Sequence, residues 1–144
     1  EVQDREKYDA IQTAWSYFCN DSWWLNPMVK AQDPGTVPSI VTLEDGRTGL
    51  MIEYTSGGVT PGDAYVYILD KNGIPSSYLM WVKVIPVGGV EFEMENWTTL
   101  YSGAKLPLAY SSAAFTLNLE NVKAAATLGE LGIKKDIFQP LNIL

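Results

Sequence analysis

The stretch PSIVTLEDGRTGLMIEYT, residues 38–55, decides the fold. Two segments rich in β-branched and apolar residues, 38–43 and 47–55, flank the tripeptide Glu44-Asp45-Gly46. An Asp-Gly pair between two such segments is a strong signal for a tight turn that joins antiparallel strands. The sequence therefore predicts a β-hairpin here.

Six further segments of β-forming residues follow the hairpin along the chain. They cover residues 64–69, 78–85, 90–95, 97–101, 105–110 and 113–119. The connections between them are too short for the crossover that a parallel pair needs, so successive strands must be antiparallel. We expect a mainly β fold on the α+β borderline, with about eight strands in an antiparallel meander that forms a bent sheet or a barrel.

An amphipathic helix is predicted before the sheet, over residues 4–20. Its apolar positions recur at intervals of three and four residues, which is the period of one helix face. These positions are Tyr8, Ile11, Trp15 and Phe18. Asp4 is the expected N-cap, because its carboxylate can accept hydrogen bonds from free amides of the first turn. We expect this face to pack on the sheet; the alternative is a helix that binds a partner.

A short second helix is predicted near the C-terminus. Asn121 can cap it, the apolar face is Val122, Ala125 and Leu128, and Gly129 or Gly132 can end it. The remaining tail to residue 144 is expected to pack as extended chain.

Length and composition favour one domain over residues 1–144. A chain of this size can form one hydrophobic core. Seventeen acidic residues against ten basic ones give a net charge of −7, which disfavours nucleic acid as a partner because phosphates would be repelled. No apolar run reaches the roughly 20 residues that span a bilayer, so no integral membrane segment is expected.

The chain contains no histidine and a single cysteine, Cys19. Nucleophile pairs of the Ser-His and Cys-His types are therefore excluded, as are histidine-ligated metal sites and internal disulfides. We expect neither a metal nor a cofactor. The chain starts at Glu1 and not at Met, which favours a processed protein that is secreted or resident in the cell envelope.

Carboxylates are the groups left for catalysis. Glu91, Glu93 and Glu95 alternate with apolar residues, so in a strand all three share one face, most simply a solvated one. Glu53 and Asp63 flank a glycine-rich loop and would come together if their strands pair across it. These two residues are the candidate catalytic pair of a carboxylate-dependent hydrolase acting on glycans.

Aromatic side chains with a polar edge are abundant, and such rings suit stacking on sugars or lining an amphipathic pocket. The candidate ligand-binding residues are Trp23, Trp24, Tyr65, Tyr67, Trp81 and Trp97. The same rings could instead fill a core.

The sequence therefore predicts a non-enzymatic binding domain that holds an apolar small molecule or a glycan against its aromatic residues. Two alternatives stay open: the hydrolase, and a structural or oligomerising module of the envelope whose aromatic surface meets another protein or a second copy. The oligomeric state is left open.

Overall fold

The computed structural model describes residues 2–136 and 139 and shows one long helix followed by antiparallel strands. Helix α1 covers Val2–Leu25, and a 3-10 turn covers Pro27–Lys30. The strands are β1 Thr36–Thr42, β2 Thr48–Tyr54, β3 Ala64–Leu69, β4 Pro75–Trp81, β5 Val90–Glu95, β6 Thr98–Thr99, β7 Lys105–Leu106, β8 Ala109–Ser111 and β9 Thr116–Asn118.

Seven of these strands form one antiparallel sheet in the order β1-β2-β3-β4-β5-β8-β9. Strands β6 and β7 form a separate two-stranded sheet, inserted between β5 and β8. The predicted mainly β, antiparallel meander is confirmed. The sheet is open, so the barrel alternative is wrong.

The predicted hairpin is confirmed with a continuous register from Thr36 opposite Tyr54 to Thr42 opposite Thr48. The amide of Leu43 donates to the Arg47 carbonyl at 2.8 Å and closes the turn. Gly46 has a φ of +85°, which is the left-handed conformation that glycine adopts without strain.

Several strand boundaries differ from the prediction. The strand expected over residues 78–85 is β4, Pro75–Trp81, because its neighbour β3 begins at Ala64, opposite Trp81, and offers no hydrogen-bond partner beyond that point. The segment 105–110 splits into β7 and β8 around Pro107, which has no amide hydrogen to donate. The outer predictions, 97–101 and 113–119, shorten to β6 and β9.

Helix α1 is longer than predicted and packs differently. Asp4 lies within its first turn, so the prediction of Asp4 as the N-cap is wrong. The apolar face that was expected to pack on the sheet is exposed at all four positions, which are Tyr8, Ile11, Trp15 and Phe18. Contact with the sheet is made instead by the last turns of the helix, where Trp23 is buried.

A row of aromatic rings crosses the middle of the sheet and forms the core. Tyr67 is opposite Tyr78, and Tyr78 is opposite Phe92, so the three side chains share one face of the sheet. The rings of Tyr78 and Phe92 stack with centroids 5.5 Å apart, and Tyr110 packs edge-on to Tyr78. Each fully buried ring of this size contributes about 1.5–3 kcal/mol of hydrophobic stabilisation.

The opposite face carries an ion pair that links distant strands. Arg47, just before β2, donates two hydrogen bonds to the Glu91 carboxylate of β5, at 2.5 and 3.0 Å. In a flat sheet these two backbone positions would be roughly 20 Å apart, farther than the side chains reach. The sheet is therefore strongly coiled, with the Arg47–Glu91 pair on its concave side.

The predicted C-terminal helix is wrong. Residues 121–133 form irregular turns: Asn121 has a φ of +55°, and the amide of Ile133 closes a single turn onto the Leu128 carbonyl at 2.9 Å. Most of the tail predicted as extended chain, residues 137, 138 and 140–144, lies outside the described residues.

Candidate functional site

An open cleft of about 460 Å³ lies between the C-terminal half of α1 and one end of the sheet. Its walls are the exposed side of the helix and three loops, residues 30–34, 56–60 and 82–85. Its floor is formed by the rings of Trp23 and Tyr65 together with Met80. This cleft is more enclosed than a second groove that borders α1 in the described part of the chain.

The floor of the cleft is set by sheet register and by the end of the helix. Tyr65 of β3 is directly opposite Met80 of β4, so both side chains rise from the same face of the sheet. The Trp23 ring packs on Tyr65 with centroids 4.5 Å apart, and the next ring, Trp24, packs edge-on to Phe92 at 5.7 Å. These contacts anchor the end of α1 and hold the cleft floor in place.

Few charged groups line the cleft. Asp63 is buried, and its carboxylate accepts a hydrogen bond from the Lys83 amide at 3.0 Å. Lys30 pairs with Asp33 at 3.5 Å, and its ammonium group lies 6.0 Å from the centre of the Phe18 ring. Two carboxylates and one ammonium group therefore give the cleft a net negative charge.

The phenols beside the cleft stay neutral well into alkaline conditions. Burial raises the pKa of Tyr65, and the nearby Asp63 carboxylate raises it further. Burial also raises the pKa of Tyr54, an effect that the neighbouring Trp23 indole partly opposes. At neutral pH the cleft thus presents uncharged rings with polar edges.

The structure brings some of the sequence-predicted binding residues together and separates the others. Trp23, Trp24 and Tyr65 line the cleft. Tyr67 is fully buried in the core. Trp81 packs on the Gly88 backbone on the other face of the sheet, and Trp97 donates its indole N–H to the Pro75 carbonyl at 3.0 Å.

The candidate catalytic carboxylates are not brought together. Glu53 is opposite Ala64, so Asp63, one residue earlier, projects to the other face of the sheet. Asp63 lines the cleft and Glu53 does not.

The three glutamates of β5 share one face, as their spacing indicates. Glu91 is held by Arg47 and by the Ser77 hydroxyl at 2.6 Å, and Glu95 accepts from Ser111 at 2.7 Å. The Arg47 guanidinium lowers the pKa of Glu91. Within residues 2–136 and 139, no group of three or more metal-ligating side chains is close enough to hold a metal ion.

Among the apolar residues of the cleft that sequence reasoning missed are Trp15, Phe18, Val84 and Ile85. The first two were placed in a buried helix face, and the other two in a strand. Their spacing and apolar character were visible in the sequence, but both signals also fit a core.

Comparison with protein-family models, with curated proteins and with solved structures found no match. In the described part of the chain, no helix combines the length and the apolar character needed to cross a membrane. The function must therefore be argued from the geometry of the chain itself.

Proposed function

We propose that this domain binds an apolar small molecule in the cleft between α1 and the sheet. The observation that carries the proposal is the cleft itself: an open concavity of about 460 Å³ whose floor consists of aromatic rings and a methionine. Volumes of about 300–1,000 Å³ are typical of sites for small ligands. Methionine beside rings adds an adaptable surface that accepts ligands of varied shape.

The charges around the cleft narrow the ligand class. Asp33 and Asp63 outnumber Lys30, and the chain as a whole carries a net charge of −7. An anionic ligand would be repelled, so a neutral or cationic one is favoured. A glycan is less suited than an apolar molecule, because most of the surface that lines the cleft is apolar and the buried Asp63 carboxylate already accepts a hydrogen bond from the Lys83 amide.

A hydrolase is not proposed. The two carboxylates that would perform the chemistry, Glu53 and Asp63, project from opposite faces of the sheet.

The proposal is tested with Nile red, a neutral apolar dye whose fluorescence rises in an apolar site. Val84 lines the cleft and is exposed, so Val84→Asp should place a charge at the site without disturbing the fold. Val87 is also exposed but is not among the residues that line the cleft, and Val87→Asp is the matched control.

We expect saturable dye binding to the wild type and at least about fivefold weaker binding to Val84→Asp, which corresponds to about 1 kcal/mol. The control should bind as the wild type does. Equal dye affinity in the two variants, or no saturable binding to the wild type, would contradict the proposal. If glycans from a panel displace the dye, the proposed ligand would be a sugar instead of an apolar molecule.

A further inference from the structure

The exposed apolar residues of α1 form a regular stripe, and two of its members, Trp15 and Phe18, also border the cleft. Tyr8, Ile11, Trp15 and Phe18, called here the α1 stripe, are 61%, 55%, 46% and 59% exposed. Their spacing of three, four and three residues continues through Ser22 to Leu25. This is the spacing of positions a and d in a heptad repeat, the pattern with which one helix packs against another in a coiled coil.

We propose that the α1 stripe docks against the α1 stripe of a second copy of this chain, with the two helices antiparallel. A helix is the partner that the heptad spacing fits, because knobs on one helix enter holes on the other at this period. Two identical stripes related by a two-fold axis are complementary to each other by symmetry. The choice of a second copy is supported by the charges that flank the stripe.

One pair of charges on α1 is complementary in the antiparallel arrangement. If Ile11 packs opposite Trp15 of the second copy, then Tyr8 packs opposite Phe18 of the second copy. In this register the flanking position of Lys7 faces that of Asp21 of the second copy, and the symmetry repeats the pair at the other end. Both residues are exposed, so their charges are available at the flank of the interface.

The parallel arrangement lacks this complementarity. Asp4 occupies the same heptad position as Ile11, one repeat earlier, so parallel helices would bring Asp4 against Asp4 of the second copy. Lys7 would face an uncharged residue, Gln12, and Trp15 would face Trp15. Like charges and two indoles in one layer both disfavour parallel packing.

The position of α1 in the fold leaves room for the antiparallel partner. A helix of 24 residues is about 36 Å long, and only its last turns contact the sheet, so antiparallel pairing places the two sheets at opposite ends. The stripe also runs into a groove of about 550 Å³, which is lined by Phe18, Asp21, Ser22, Leu25, Asn118, Leu119, Glu120 and Val122. This groove can receive the first turns of the other helix.

The area of the stripe sets the expected affinity. Four large apolar side chains, each about half exposed, bury roughly 800 Å² when both copies are counted. Stable complexes bury about 1,200–2,000 Å², so the flanking residues and the groove must supply the rest. We expect a reversible dimer that dissociates on dilution.

The first experiment is sedimentation equilibrium of the whole chain from about 5 to about 500 µM, a range that covers affinities typical of small interfaces. Tyr8→Glu places a charge in the stripe and should weaken dimerisation at least about tenfold. Tyr17→Glu is the matched control, because Tyr17 is 66% exposed and projects from another face of α1. A wild type that is monomeric throughout, or equal losses in the two variants, would overturn the proposal.

The second experiment tests the direction of the helices by reversing charges. Lys7→Asp alone should weaken the dimer about fivefold, as should Asp21→Lys alone, and the double variant should recover the wild-type affinity. Absence of recovery in the double variant would overturn the antiparallel register. Tyr8 and Lys7 are not among the residues that line the cleft, so Nile red binding by the monomer should be unchanged in these variants and reports separately on the proposed function.

Discussion

Alkaline pH should unfold this domain by ionising the phenols of its core. Tyr67, Tyr78 and Tyr110 are each 0% exposed. Within the described residues their hydroxyls have no hydrogen-bond partner, so nothing nearby would stabilise a phenolate. Burial accordingly raises the pKa of all three, with further upward contributions from neighbouring tyrosines at Tyr67 and Tyr78.

The magnitude follows from the difference between the folded and unfolded chains. An unfolded tyrosine has a pKa of about 10, whereas these three keep their protons in the folded state above that pH. Their contribution to the free energy of unfolding is therefore intact below about pH 10 and is lost as the pH rises further. Burial also raises the pKa of Tyr54 and Tyr65, so five phenols each cost about 1.4 kcal/mol per pH unit and together cost about 7 kcal/mol per unit. A domain of ordinary stability, about 5–15 kcal/mol, should unfold between about pH 11 and pH 12.

The assay is a series of urea titrations from about pH 9 to pH 12, followed by circular dichroism. Tyr78→Phe removes one of the five phenols whose pKa is raised and should reduce the slope of stability against pH by about one fifth. Tyr17→Phe, in the exposed part of α1, leaves all five of these phenols in place and should show the full slope. The reasoning is refuted if Tyr78→Phe and the wild type lose stability with the same slope.

Three further predictions concern the sheet, and each is measured by urea titration. Gly49→Ala should lower the free energy of unfolding by about 1–3 kcal/mol, because a Cβ there would lie 2.4 Å from Val66 Cγ1. The double variant Gly49→Ala with Val66→Ala should lose less stability than the sum of the two single losses. Glu91→Gln should lower the urea midpoint at pH 7. Because Arg47 holds the pKa of Glu91 down, the difference in stability from the wild type should shrink as the pH falls below about 4.5. A difference that stays constant with pH would contradict this prediction. Trp97→Phe removes the indole N–H that bonds to a β4 carbonyl and should cost about 1–2 kcal/mol, whereas no loss would show that this hydrogen bond contributes nothing.

The central strands could be predicted from the sequence because local signals and tertiary pairing agree there. The bounds of β3 and β5 match the prediction to the residue, since both are bordered by glycine turns or polar turns. Strand β4 was displaced because its end is set by where its neighbour begins, and that information lies outside its own segment. The C-terminal helix was predicted wrongly for a similar reason. The spacing of Val122, Ala125 and Leu128 fits a helix face, but it is also compatible with the irregular turns that the structure shows.

The candidate site could be predicted only in part. The sequence identified Trp23, Trp24 and Tyr65 as a type of residue that binds ligands, and these line the cleft. The sequence could not distinguish these three residues from Tyr67. The Tyr67 ring projects from the same face of β3 as Tyr65, but it is fully buried in the core. The spacing of the apolar residues in α1 correctly indicates an amphipathic helix. It does not indicate whether the apolar face is covered by the same chain.

The order of the strands also has a consequence for how the chain folds. Each of the first five strands pairs with its neighbour in the chain, and the longest step between paired strands, from β5 to β8, is bridged by the short β6-β7 hairpin. Contacts between residues that are near in sequence cost little loop-closure entropy, and they speed folding. Hairpins form in about 1–10 µs, so the sheet can grow strand by strand as each segment leaves the ribosome. On this view α1, although made first, docks its terminal tryptophans only once β3, β4 and β5 have formed the surface beneath them.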